Sequence, residues 1–196
     1  MERLSGNEGR YVLYNRINGK LTELGITDAD YPIHSSKILS MFYPEIELQY
    51  WEFSSPAICG MLYLGDVLST VILNKKRDIK GQNFDLMHEL VHYWFHPKHD
   101  GMCIYDDKIL SRTGREWQAN EGAAQVLMPE DLFIRKFYEV DGDSNKLSDM
   151  FFVGRWAVNF RISNLKKKII KAESTYKPKK AKKDLISSFA PWKIEG

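Results

Sequence analysis

Cysteine is nearly absent from this 196-residue chain, with Cys59 and Cys103 its only two. That is too few for a disulfide framework to stand in for a hydrophobic core, and reduced thiols are expected. No stretch approaches the ~18 consecutive apolar residues of a membrane-spanning helix. Met1-Glu2-Arg3-Leu4-Ser5 does not follow the basic-then-apolar plan of a secretion leader. The expectation is a cytoplasmic protein with no membrane partner. Internal repeats are lacking as well. So is a charge of one sign, because 28 Lys and Arg against 26 Asp and Glu leave a net +2. The balance is uneven: residues 166–183 hold nine lysines and one glutamate, which is +8, so the remainder carries 2 − 8 = −6. A basic stretch on an acidic body can meet nucleic acid or an acidic partner. A solvated helix end running into a linker is the plainer account.

What is present suits one soluble globular domain with a small appendage. Hydrophobic residues make up 43% and charged residues 28%, which is ordinary composition with enough apolar material for a core. From Asn18 to Phe42, apolar residues fit two short helices interrupted at Tyr31-Pro32. Ile46–Phe53 alternates as a strand does, and Gly60–Leu64 and Val67–Asn74 flank a hairpin turn at Gly65-Asp66. A small antiparallel sheet is therefore expected ahead of a helix over 83–96, which Pro97 ends. A loop follows over 97–111, then helices over 113–128, 130–139, 146–152 and 155–170, with a linker from Ala172. The fold class is α+β.

The third of these helices carries His88-Glu89-Leu90-Val91-His92. Residues four apart share a helix face, so both imidazoles can converge on one ion with Glu89 beside them. Zinc lowers the pKa of a water it holds to roughly 7. A glutamate in reach can then take that proton and return it to a leaving amine. Hydrolytic zinc needs a third protein ligand and an open position. Glu116 on the next helix is the choice, with Asn120 one turn later supporting a ligand from behind. Among the rivals, His96 lies another helical turn from an ion clasped by the first two, and His99 falls beyond Pro97 without the Gly-containing spacing of three-histidine proteases. Both are read as structural or solvent-facing. The aspartates of the connecting loop are further rivals. Arg112 and Arg115 flank the ligand position closely enough to orient a substrate, though surface arginines are common.

These motifs together resemble the ImmA/IrrE-type metallopeptidases. The resemblance rests on His88-Glu89-Leu90-Val91-His92 followed by His96, and on Glu116-x-x-Ala119-Asn120-x-x-Ala123-Ala124-x-x-Leu127-Met128-Pro129. It extends to a strand ending at Asn74 and to Phe152-Val153-Gly154-Arg155-Trp156-Ala157-Val158-x-x-Arg161-Ile162-x-x-Leu165, covering roughly residues 35–168. It implies zinc bound by His88, His92 and Glu116, with Glu89 as catalytic acid/base, in a zincin-like helical core. Gly122 and Gly154 depart from the family pattern, where an aromatic and a serine are usual; both departures concern packing. Characterised members cleave a helix-turn-helix repressor, so the resemblance implies a protein substrate of that kind.

The expected organisation is a metallopeptidase-like domain over 1–129, a C-terminal helical region over 130–170 packed on it, and a basic linker and tail over 171–196. Residues 144–170 resemble a helix-turn-helix, and Arg155, Arg161 and Lys166–Lys168 add basic character. Trp156, Phe160, Ile162, Leu165 and Ile169 make packing the better account of this helix than DNA reading. Two other functions compete with site-specific peptide hydrolysis. One is a zinc-containing regulator or toxin-system partner that sequesters a protein without cutting it; the other is a DNA-binding regulator using the C-terminal helices.

Overall fold

Leu13, Ile17 and Leu21 recur every four residues and fall on one helix face. In the computed structural model, which describes residues 6–55, 57–65, 67–96, 104–105 and 114–176, they are the buried face of α1 (Gly6–Glu23). The helical turns expected from Asn18 are thus the end of a longer helix. It stops where Gly25 takes a positive φ of 68°. There Gly25 N–H donates to the Thr22 carbonyl and Ile26 N–H to the Leu21 carbonyl, at 3.0 and 2.9 Å, satisfying carbonyls that the helix leaves open. Beyond Pro32 the chain resumes as α2 (Ser35–Phe42).

The sheet has the order β1-β3-β2-β4, built from β1 (Ile46–Trp51), β2 (Gly60–Leu64), β3 (Ser69–Asn74) and β4 (Ile104–Tyr105). β2 and β3 form the expected antiparallel pair, with Gly60 opposite Leu73 and Leu64 opposite Ser69. Turn residue Asp66 lies outside the described residues. The expectation of a wholly antiparallel sheet is corrected: β1 pairs parallel to β3, with Ile46 opposite Ser69 and Trp51 opposite Asn74. Because β3 inserts between β1 and β2, a strand antiparallel to β2 meets β1 running the same way. A second correction is β4, which arises inside the stretch read as a loop and pairs antiparallel to β2. Two residues are too few for any periodic pattern to reveal.

α3 (Ile79–Phe95) begins ahead of the expected position because Asp78 caps it, accepting from the N–H groups of Lys80 and Gly81 at 3.0 and 2.9 Å. Every residue from Asn83 to His92 is buried. A helix buried all round lies between layers, and α3 has the sheet's β2 and β3 on one side and α4 (Gly114–Leu127) on another, with α1 against α4. α5 (Glu130–Glu139), α6 (Ser144–Phe151) and α7 (Arg155–Tyr176) follow. The linker expected from Ala172 is instead helical to Tyr176. Residues 177–196, with much of the lysine cluster, lie outside the described residues. Among the described residues no helix is long and apolar enough to cross a membrane. Cys59 is a buried thiol; Cys103 is not described.

α7 is fastened by charge as well as by the buried Val158, Leu165 and Ile169. Arg161, fully buried, donates through Nε to the Met128 carbonyl at 2.9 Å and through its two terminal nitrogens to Tyr14 Oη and Gln125 Oε1. Tyr14 in turn donates to Glu121 Oε2 at 3.0 Å, and Glu121 also accepts from Arg10 and Asn164. Arg161 is therefore unavailable to a DNA backbone, which corrects its reading as part of a basic face.

Gly122 marks the closest approach of α4 to its neighbours. A Cβ there would lie 2.8 Å from Val91 Cγ1 and 3.3 Å from Ile17 Cδ1, so no side chain fits at Gly122 unless its neighbours shift. At Gly154 a Cβ would meet nothing within 4 Å. Gly122→Ala gains about 1 kcal/mol of helix propensity but overpacks by about 1–3 kcal/mol. Val91 is β-branched and stiff at χ1, so overpacking wins and a melting temperature lower by a few degrees is expected. Calorimetry on Gly122→Ala, Val91→Ala and the double variant checks this: the double variant should be more stable than the summed single effects, and strict additivity would show that the two side chains do not meet.

Candidate metal centre

His88 and His92, one turn apart on α3, bring their Nε2 atoms within 3.0 Å of each other. Glu116 in the first turn of α4 faces both, with Oε2 3.3 Å from His88 Nε2 and Oε1 3.3 Å from His92 Nε2. The three residues offer ligand atoms all within 4.8 Å of one another. The helices run in opposite directions here, since rising numbers on α3 meet falling numbers on α4: His88 lies against Asn120, and His92 against Glu116. The imidazoles are sealed, with side-chain exposures of 2% and 0%, while Glu116 keeps 24%. Access from solvent is therefore on the carboxylate side.

The electrostatics of the trio fit a cation. Burial disfavours the Glu116 carboxylate, but its pairing with the facing His88 and His92 rings outweighs this and holds it well below the usual range. Burial lowers His92 from its ordinary value, and lowers His96 to about 4, keeping both rings neutral near pH 7. Neutral imidazole is the form that binds metals. Glu116 Oε2 is buried with no hydrogen bond among the described residues, an acceptor that a bound cation would satisfy. Two imidazole nitrogens and a carboxylate suit a borderline divalent ion.

Asn120 Oδ1 lies 3.1 Å from His88 Nδ1, so it can accept that proton and leave Nε2 free for an ion. Glu89 is 1% exposed. Its Oε1 lies 3.5 Å from where a Cβ on Gly60 would be, which sets the first residue of β2 directly against the carboxylate. Sequence reasoning passed over Gly60, although a glycine in a strand marks close approach of another group. His96 is buried behind His92 and does not join the trio, in keeping with its structural reading. Arg115 is exposed at the start of α4, and its charge disfavours protonation of His92 and His96. His99 and Arg112 lie outside the described residues. Tyr93, Trp94 and Phe95 pack against the core.

The model of the IrrE N-terminal-like domain, peptidase family M78, matches residues 47–163, more than half of the chain. No curated protein matches it significantly.

Because Glu116 is the sole ligand of the trio supplied by α4, Glu116→Ala should abolish stoichiometric retention of a divalent metal through gel filtration. The fold should persist, since Glu116 is partly exposed and outside the apolar core. Metal content by elemental analysis, with a circular dichroism melt alongside, checks both halves; full retention of metal in the variant would remove Glu116 from the ligand set.

Proposed function

The chain belongs to the IrrE N-terminal-like family of M78 peptidases, and from this premise we propose that it is a zinc-dependent endopeptidase performing regulatory proteolysis on a helix-turn-helix repressor. The observation that carries the reading is the trio itself, two histidines and a carboxylate on facing helices with a buried glutamate next to one of them in sequence. Three protein ligands with solvent access on one side is the pattern of hydrolytic zinc, whereas structural zinc is closed by four. His88, His92 and Glu116 would hold the ion. Zinc bound there supplies a Lewis acid for the scissile carbonyl and acidifies water.

The remaining chemistry belongs to the chain. Glu89 takes one proton from the attacking water as its oxygen bonds to the carbonyl carbon, and delivers it to the leaving amine nitrogen as the C–N bond breaks. Burial against the Gly60 backbone restricts the carboxylate to few rotamers, which favours a fixed proton path over a solvated one. A helical regulator suits a site reached beside a sheet only where the substrate presents an extended segment, such as an interdomain linker.

The sequestering alternative needs the zinc but not Glu89, and a purely structural site has no use for a buried general base. The DNA-binding alternative loses Arg161 to the interior. The test is Glu89→Gln, assayed against helix-turn-helix repressors encoded beside the gene, with fragments identified by mass spectrometry. Zinc content should be unchanged and cleavage should fall by roughly 10²–10⁴-fold. Cleavage that survives the substitution would sink the peptidase mechanism, and a regulator bound but never cut by the unsubstituted protein would favour sequestration.

A further inference from the structure

His96 sits just past the end of α3 and turns back onto it, 5% exposed. Its Nδ1 lies 2.7 Å from His92 Nδ1 and its Nε2 lies 3.3 Å from Gln118 Oε1. Gln118 is itself buried, on α4 between Glu116 and Asn120. Each neutral imidazole carries one N–H, so between two facing nitrogens one ring donates and the other accepts. An amide oxygen only accepts. With Gln118 Oε1 facing His96, the His96 proton must be on Nε2, which leaves Nδ1 as an acceptor. His92 must then carry its proton on Nδ1, and its Nε2 lone pair faces Glu116 and His88. The opposite orientation of the Gln118 amide would reverse every proton in this chain and place an N–H where a metal ion needs a lone pair.

We propose that Gln118 and His96 are positioning residues that hold His92 in the Nδ1–H tautomer, so that its Nε2 is ready to ligate metal. The inference rests on the zinc reading for its purpose, though not for its geometry. α4 then supports both histidines by one principle: Asn120 accepts from His88 directly, while Gln118 acts on His92 through His96. The relay is longer because His92 lies a turn further along α3 and its Nδ1 meets His96.

Long-range ¹H–¹⁵N correlation spectra of the metal-free protein report the tautomer of each histidine. His92 should be Nδ1–H, and Gln118→Glu, which fixes an acceptor at that position, should keep it so. His96→Leu removes the acceptor and Gln118→Met removes the polarity. Each should redistribute the His92 proton and weaken zinc binding, by about 10–100-fold for His96→Leu, measured by competition with a chromophoric chelator. His96→Gln, which restores an acceptor, should recover part of the loss. A merely structural role would lower the melting temperature and leave the zinc affinity of the folded protein unchanged. An Nε2–H tautomer at His92 in the unsubstituted protein, or equal zinc affinity in the two disruptive variants, would overturn the proposal. Should His96→Leu not fold, the Gln118 pair gives the decision. Failure of the unsubstituted protein to bind zinc would overturn the peptidase reading alone, because the metal-free spectrum still assigns the tautomer.

Discussion

The contact between α3 and α4 is the constraint on which the rest of the structure depends. Glu116 can reach two imidazoles on another helix only if the backbones are close, and interaxial distance is set by the side chains at the crossing. Gly122 provides that closeness: with no Cβ, it admits Val91 Cγ1 into space that any other residue would occupy. Ala119, one turn before Gly122, continues the small-residue face at 0% exposure. A bulkier α4 would push the two helices apart and carry the carboxylate away from the histidines. The geometry of the trio thus depends on the packing of Gly122 against Val91.

Holding α4 in place takes charge as well as fit. Glu121 and Arg161 are buried, and an isolated buried charge is costly. Here neither is isolated. Arg10 and Tyr14 come from α1 and Asn164 from α7 to surround Glu121, while Arg161 spreads its protons over Met128, Gln125 and Tyr14. Removing one member of such a network leaves the others unsatisfied, at a cost of about 3–5 kcal/mol for a broken buried pair. Directional hydrogen bonds also restrict the rotation of α4 about its own axis, which hydrophobic contact alone leaves loose. That rotation decides whether Glu116 and Asn120 face α3.

The candidate site was legible in the sequence because its parts are local. His88, Glu89 and His92 lie within one turn, and Glu116 and Asn120 share the next strongly patterned helix, so periodicity puts each set on one face of its own helix. Long-range arrangements were not legible in the same way. The parallel pairing of β1 depends on β3 inserting beside it, which no alternation within either strand encodes. α1 was read short, although Leu13, Ile17 and Leu21 keep helical spacing, because polar residues dilute the pattern ahead of Asn18. Arg161 looked like a surface cation because its partners, Tyr14 and Gln125, lie 147 and 36 residues away in the chain. His96 stays outside the trio. Its contact with Gln118 depends on how the chain turns after α3, which Pro97 signals only as an ending.

The second layer of the site shows why burial and function are compatible here. A solvent-exposed imidazole exchanges tautomers freely, and a metal would have to select the right one at each binding event. Burial removes water as a partner, so each Nδ1 must find its acceptor within the protein, and the choice of acceptor fixes the proton. Asn120 supplies it to His88; the next histidine supplies it to His92. The same exclusion of water lowers the basicity of His92 and His96 and so removes the competing proton from the ligand. Glu116 is left as the one partly exposed member. It is the one ligand whose charge draws a cation from solvent, and both of its oxygens already point at the two histidines that would complete the capture.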